Sequence, residues 1–272
     1  MIINMVGRAP AISQFPEFTY DGEYQLIDDG QANGVQNWRI KFLSSGTLTF
    51  TKSPTGGQAG FEIDTFLVGG GGGGNASWHP SNGGGGGAGG YTFTTKKVSV
   101  AVGTVYSIVV GAGGAQSNNG SAHGGTSSAF GYSAEGRKAP NVNNSPGGYG
   151  GSGGAANKAT SAGTDGSDDS TGRGLGQGTT TREFGELTGA LYSGGGGACR
   201  YTAGSTVTPG CSGGPGGGGK GADFVGTILP GSSGSINGVE NTGGGGGSGN
   251  PAGAGGLGGS GIVVIRNART TA

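Results

Sequence analysis

Side chains able to do chemistry are sparse in this chain, and they gather in segments flanked by glycine. Trp78-His79-Pro80 stands between the runs Gly69–Gly74 and Gly83–Gly87. An exposed indole beside an imidazole stacks on a sugar ring or on an apolar receptor patch. The competing reading is that Trp78 closes the end of a packed glycine array against water. Cys199, Arg200, Tyr201 and Cys211 also lie between glycine runs. A disulfide between Cys199 and Cys211 would close a short loop, worth up to about 3 kcal/mol in the entropic account. On an oxidising particle surface it would hold a recognition loop in shape. The other reading is two thiols made in a reducing cytoplasm and never joined. Tyr149 and Phe224 are further contact candidates in side-chain-bearing loops, against the simpler role of packing at the end of the array.

Motifs for catalysis and metal binding fail one by one. Gly214–Lys220 fits the first seven positions of a phosphate-binding loop, but Gly221 stands where a Ser or Thr would hold magnesium. Gly150-Gly151-Ser152-Gly153-Gly154 fits a nucleophile elbow by composition alone. Asp165-Gly166-Ser167-Asp168-Asp169 starts like a calcium loop, yet Ser170 and Gly176 replace the Gly and Glu that such a loop needs. Zinc would need a CxxC or a His pair, and neither is present. With only 2 histidines, an oriented base is not expected. The pair Glu183 and Glu186 has no distinguishing context. No catalytic, cofactor-binding or metal residue is nominated, and no enzymatic activity is expected.

The elements that must position these loops are dominated by glycine, at 73 of 272 residues, against roughly 7% in an average protein. Collagen requires Gly at every third position and many prolines. Here glycines come in solid runs with only 10 prolines, which excludes it. Disorder would fit the low hydrophobic content of 31%, but not the low charge of 11% or the patterned apolar segments. Fifteen basic and 15 acidic residues give a net charge of zero, so no nucleic-acid partner is expected. No apolar stretch of about 20 residues predicts membrane insertion. The start of the chain does not read as a secretory signal peptide.

Strands are predicted where apolar and polar residues alternate. Trp38, Ile40 and Phe42 alternate with Arg39 and Lys41, Ser44-Ser45-Gly46 turns the chain, and Leu48 and Phe50 follow, the pattern of a hairpin. Phe61–Val68 runs directly into six glycines. A second hairpin is predicted from Val98, Val100 and Val102 through Gly103 to Tyr106, Ile108 and Val110. Ile262–Ile265 is apolar on both faces and reads as a central, buried strand. Because strands occur near both ends, the two ends are expected to share one sheet or sandwich. No stretch predicts a capped helix.

A run of glycines can be ordered as a left-handed helix of three residues per turn, rising about 3.1 Å per residue. Such a helix has no internal hydrogen bonds, so its amides and carbonyls must find neighbours. Packed side by side, these helices bond to each other through the backbone, and close approach demands the absence of Cβ. The expected fold is therefore all-β with little or no α-helix: a small β-sandwich core whose inserted glycine-rich segments form a polyglycine II helix bundle. Its divisions are an N-terminal attachment segment over 1–23 and core strands over 24–68. A glycine-rich domain over 69–261 carries the inserted hairpin at 91–110, and a core strand and tail cover 262–272.

The segments Trp38–Phe42, Ser45–Phe50, Phe66–Gly71, Tyr106–Gly114 and Gly259–Arg266 resemble the glycine-rich tail or virion structural proteins of bacteriophages. In plan the chain is also similar to the polyglycine tip adhesins of some T-even-like phages and to the glycine-rich domain of anaplastic lymphoma kinase. The resemblance implies a component of the tail or fibre tip, exposed on the particle surface, that presents loops to a host receptor. The implied partners are other virion proteins of the tail or fibre shaft and a host cell-surface glycan or protein. A homotrimer, or a single copy on a trimeric shaft, would suit that position. Two alternatives stand: a purely structural tail or capsid decoration subunit, and a cellular surface glycine-rich protein. Residues 1–23 do not resemble the attachment segment of such adhesins.

Overall fold

The computed structural model describes residues 15–32, 34–75, 85–116, 123–137, 148–155, 162, 165–166, 174–199, 208–223, 236–249 and 254–269. Within them the chain is all-β, and the sole helical element is a 3-10 turn at Glu183–Gly185. Ten strands are present: β1 (Glu17–Tyr20), β2 (Tyr24–Ala32), β3 (Val35–Phe42), β4 (Gly46–Lys52), β5 (Phe61–Val68), β6 (Thr92–Val100), β7 (Val105–Ile108), β8 (Ser127–Ala129), β9 (Tyr132–Ala134) and β10 (Ile262–Asn267). Five form an antiparallel sheet in the order β2-β3-β10-β5-β6. A second sheet has the order β1-β4-β7, and β8 and β9 form a short ribbon.

The two larger sheets enclose one core. Trp38, Ile40 and Phe42 of β3, Ile63 and Leu67 of β5, and Val263 and Ile265 of β10 pack against Leu48 and Phe50 of β4 and Ile108 of β7. Removing each such side chain from water stabilises the fold by about 1.5–3 kcal/mol. The expectation that Ile262–Ile265 is central and doubly buried holds, since β10 lies between β3 and β5. Its other face, Ile262 and Val264, joins Phe66, Val68, Phe184 and Tyr192 in a second apolar cluster.

Two expectations are corrected. Neither predicted hairpin forms, because β3 pairs with β2 and β10 while β4 pairs with β1 and β7. In the same way β6 pairs with β5, and β7 with β4. Alternation reports that one face of a strand is buried, without saying from which sheet. Each turn therefore carries the chain across the core from one sheet to the other. Gly103 (φ +78) turns the second corner, and its amide donates to the Phe50 carbonyl at 2.8 Å. The second correction concerns 1–23. Residues 17–20 are a strand of the sandwich, with Phe15, Phe18 and Tyr20 packed against the core.

The glycine segments continue the strands without a break. Gly69 follows the last residue of β5, Tyr91 links Gly90 to β6, and Gly261 precedes β10. Their geometry repeats every three residues. The amides of Gly71 and Gly74 donate to Gly259 and Gly256, each at 2.9 Å. Those of Gly87 and Gly90 donate to Gly246 and Gly243, and those of Gly194 and Gly197 to Gly216 and Gly219. Each segment thus bonds to several neighbours, residue i sharing a neighbour with i+3, as in a polyglycine II bundle. None of Gly69–Gly74 has a positive φ. Glycine is required there for proximity: a Cβ on Gly71 would stand closer than 3.0 Å to the Gly244 carbonyl, and one on Gly245 closer than that to Gly87.

Candidate functional site: the loop-bearing end of the glycine bundle

One end of the bundle enters the sandwich, and from the opposite end the chain departs into its side-chain-rich segments. The residues at which it leaves are bonded to one another. Gly249 donates to the Asn75 carbonyl at 2.9 Å, and Ala222 to that of Ser248 at 2.9 Å. The Cys199 amide donates to the Ser248 hydroxyl, and the Cys211 amide to the Ala198 carbonyl at 2.8 Å. Ala155 donates to Gly196 at 2.9 Å. A small apolar cluster of Ala155, Ala162, Ala198 and Cys211 fills this end. Asp223 accepts from the Gly210 amide at 2.9 Å and forms an ion pair with Lys220 at 2.8 Å. The lysine of the phosphate-loop-like stretch is thereby engaged within the bundle.

Trp78, His79, Arg200, Tyr201 and Phe224 lie outside the described residues. What the structure places is their anchors: Asn75 and Gly85, Cys199 and Thr208, Asp223 and Ile236. Cys199 and Cys211 are both buried, and no disulfide joins them. Burial pushes the Cys199 thiol up to about 12, with Cys211 and Asp223 adding to the shift. This thiol is protonated and unreactive at neutral pH.

Tyr149 is 43% exposed on the flank of the bundle. The Arg137 guanidinium lies between two phenol rings, 5.5 Å from the centroid of Tyr149 and 5.8 Å from that of Tyr91. Its Nη1 donates to the Tyr91 hydroxyl at 3.3 Å. Burial lowers the pKa of Arg137, and the two tyrosines partly counter this. Sequence reasoning nominated Tyr149 and missed Arg137, because nothing in the order of residues announces that the two meet.

Sequence reasoning also missed a charged cluster on the outer face of the five-stranded sheet. Arg39 of β3 and Arg266 of β10 point away from the sandwich core, toward the segment 181–192 that covers them. Glu183 accepts from Arg39 at 2.6 Å and lies 3.8 Å from Lys41. Glu186 accepts from Arg266 at 2.6 Å, and Arg266 also pairs with Asp64 at 3.0 Å. Asp29 pairs with Arg39 and Arg269. A polar cavity of about 310 Å³ opens among these groups, lined in part by Asp29, Arg39, Glu183 and Arg266. Every charge named here has an opposite partner, so the cluster clamps the covering segment onto the sheet. The available signal was the placement of Arg39 and Lys41 on the face of β3 opposite Trp38, Ile40 and Phe42, and of Arg266 directly after the apolar run Ile262–Ile265.

Asp165, the first residue of the calcium-like stretch, accepts from the Thr180 hydroxyl at 3.0 Å and the Thr181 amide at 3.1 Å. Among the described residues no group of three metal-ligating side chains converges, and no helix is long and apolar enough to cross a membrane.

No curated protein compared with the chain matches it. The model of a glycine-rich domain family matches residues 44–268. That span runs from the turn before β4 through the whole bundle to the residue after β10. The chain belongs to this glycine-rich domain family.

Proposed function

We propose that this chain is a virion component of a phage tail or fibre tip that presents loops for binding a host-surface receptor. The observation that carries the reading is the convergence of loop anchors at one end of a bundle held by backbone bonds. Asn75, Cys199, Ala222 and Ser248 are tied to one another or to immediate neighbours at that end. Fixed loop ends reduce the ordering entropy lost when the loops meet a partner, which favours affinity without new contacts. Backbone bonds between glycines hold the scaffold without help from loop side chains, so the loops are free to vary.

The test is an exchange of residues 76–84 and 200–207 for those of a chain from a phage of different host range. Adsorption should shift toward the donor's hosts. Unchanged adsorption with normal particle assembly would favour the second reading, a purely structural tail or decoration subunit. The observation behind that reading is the same set of anchors, which equally suits contacts to other virion proteins.

A further inference from the structure

We infer that the flank carrying Arg137, Tyr91 and Tyr149 is a binding site for a carboxylate-bearing saccharide. Among the described residues Arg39, Arg182, Arg266 and Arg269 all pair with carboxylates. Arg137 is the exception among them: its guanidinium's one hydrogen bond goes to a neutral phenol, and its buried Nε has no acceptor. A half-buried cation without a counter-charge favours an anionic partner, and a planar guanidinium suits a carboxylate.

The aromatic surroundings select the rest of the ligand. Tyr149 is 43% exposed, and its ring already faces a cation. Two positions beyond Tyr91, in β6, Phe93 is 40% exposed and stacks on Tyr132 at 5.7 Å with the planes 24° apart. Exposed rings bearing a polar edge take the C–H face of a sugar while the phenol hydroxyls meet its oxygens. The site is firmly built. The Arg137 amide donates to the Gly70 carbonyl at 3.0 Å, and the arginine stem lies against Gly150, where a Cβ would sit 3.0 Å from its Cδ. A uronic acid residue of a surface polysaccharide combines the carboxylate with the sugar face.

This site deepens the receptor-binding reading and rests on it for its biological setting. Purified full-length protein is titrated with a galacturonic acid oligosaccharide, a neutral galactose oligosaccharide of equal length, and polyglutamate, with binding read by NMR. The acidic saccharide should bind best, and Arg137→Gln and Tyr149→Ala should each weaken it by about tenfold or more with unchanged melting. Tyr149 is exposed, so its variant preserves the test if Arg137→Gln folds poorly. No binding of the acidic saccharide, equal binding of polyglutamate, or indifference to both substitutions would overturn the site. The loop exchange leaves Arg137 and Tyr149 in place, so a failed adsorption shift is distinguishable from a failed saccharide titration.

Discussion

Arg266 and Asp64 are direct cross-strand partners on β10 and β5, with Nε and Oδ2 3.0 Å apart and side chains only 2% and 0% exposed. The Phe184 ring lies 4.0 Å from the guanidinium, and Glu186 takes its remaining edge. Removing one member leaves the other charged and buried, which costs about 3–5 kcal/mol. Asp64→Asn and Arg266→Met should each lower the melting temperature steeply. The double variant should recover part of the loss, because neither an unpaired carboxylate nor an unpaired guanidinium is then left buried. A thermal-melt double-mutant cycle measures this, and strictly additive losses would contradict the pairing.

Acid should loosen the clamp over residues 181–192. Burial pushes the Asp29 carboxyl up, but hydrogen bonds and charge from Arg39 and Arg269 outweigh this and hold it below its ordinary value. The hydrogen bond from Arg266 lowers that of Glu186. A depressed folded pKa gives stability that is present above the unfolded value of about 4 and lost as pH falls through the folded one. Melting temperature should therefore drop below about pH 4, and Asp29→Asn combined with Glu186→Gln should flatten that limb. An unchanged acid slope in the double variant would refute the assignment.

The glycines divide into two kinds that substitution can tell apart. Gly56 has φ +80 and open space around it, so Gly56→Ala bears only backbone strain, about 1–2 kcal/mol. Gly71 and Gly245 have ordinary φ, with a neighbouring carbonyl where Cβ would be. Gly71→Ala and Gly245→Ala should each cost about 3 kcal/mol or more, because backbone on both sides has to move. Near-normal melting for either would contradict the close packing.

Native protein at pH 8 should resist alkylation at Cys199, since burial keeps its thiol protonated up to about 12. Unfolding in denaturant should expose both cysteines to the reagent. Resistance in the native state is therefore not a sign of a disulfide. Intact mass after unfolding without reductant distinguishes the two states by the gain of two alkyl groups. Rapid native labelling of Cys199 would contradict its burial.

The legible part of this fold is whatever depends on local pattern. Phe61–Val68 shows as a strand ending at a glycine run, and Ile262–Ile265 as a central strand, because burial on both faces leaves no polar alternation. Runs of adjacent glycines, repeated along the chain, imply neighbours that tolerate no Cβ. The pairing of those strands was not legible: Leu48 and Phe50 look like the second arm of a hairpin, yet they face Trp38 and Phe42 across the core. The charged cluster escaped for a related reason. Glu183 reaches Arg39 across 144 positions, a distance at which no spacing rule operates. At the loop-bearing end the anchors follow from the glycine runs, whereas the meeting of Arg137 with Tyr149 depends on how separate segments fold back along the flank.

The direct passage of β5 into Gly69 and of Gly261 into β10 also governs how the protein bears load. A pull on the loops travels along covalent backbone into the middle of the five-stranded sheet. The bonds between neighbouring segments lie across the direction of force, so they are loaded together in shear, and rupture requires many to fail at once. A molecule tethered at its sandwich and tugged at the far end of its bundle would therefore resist extension as a cable of side-by-side strands does.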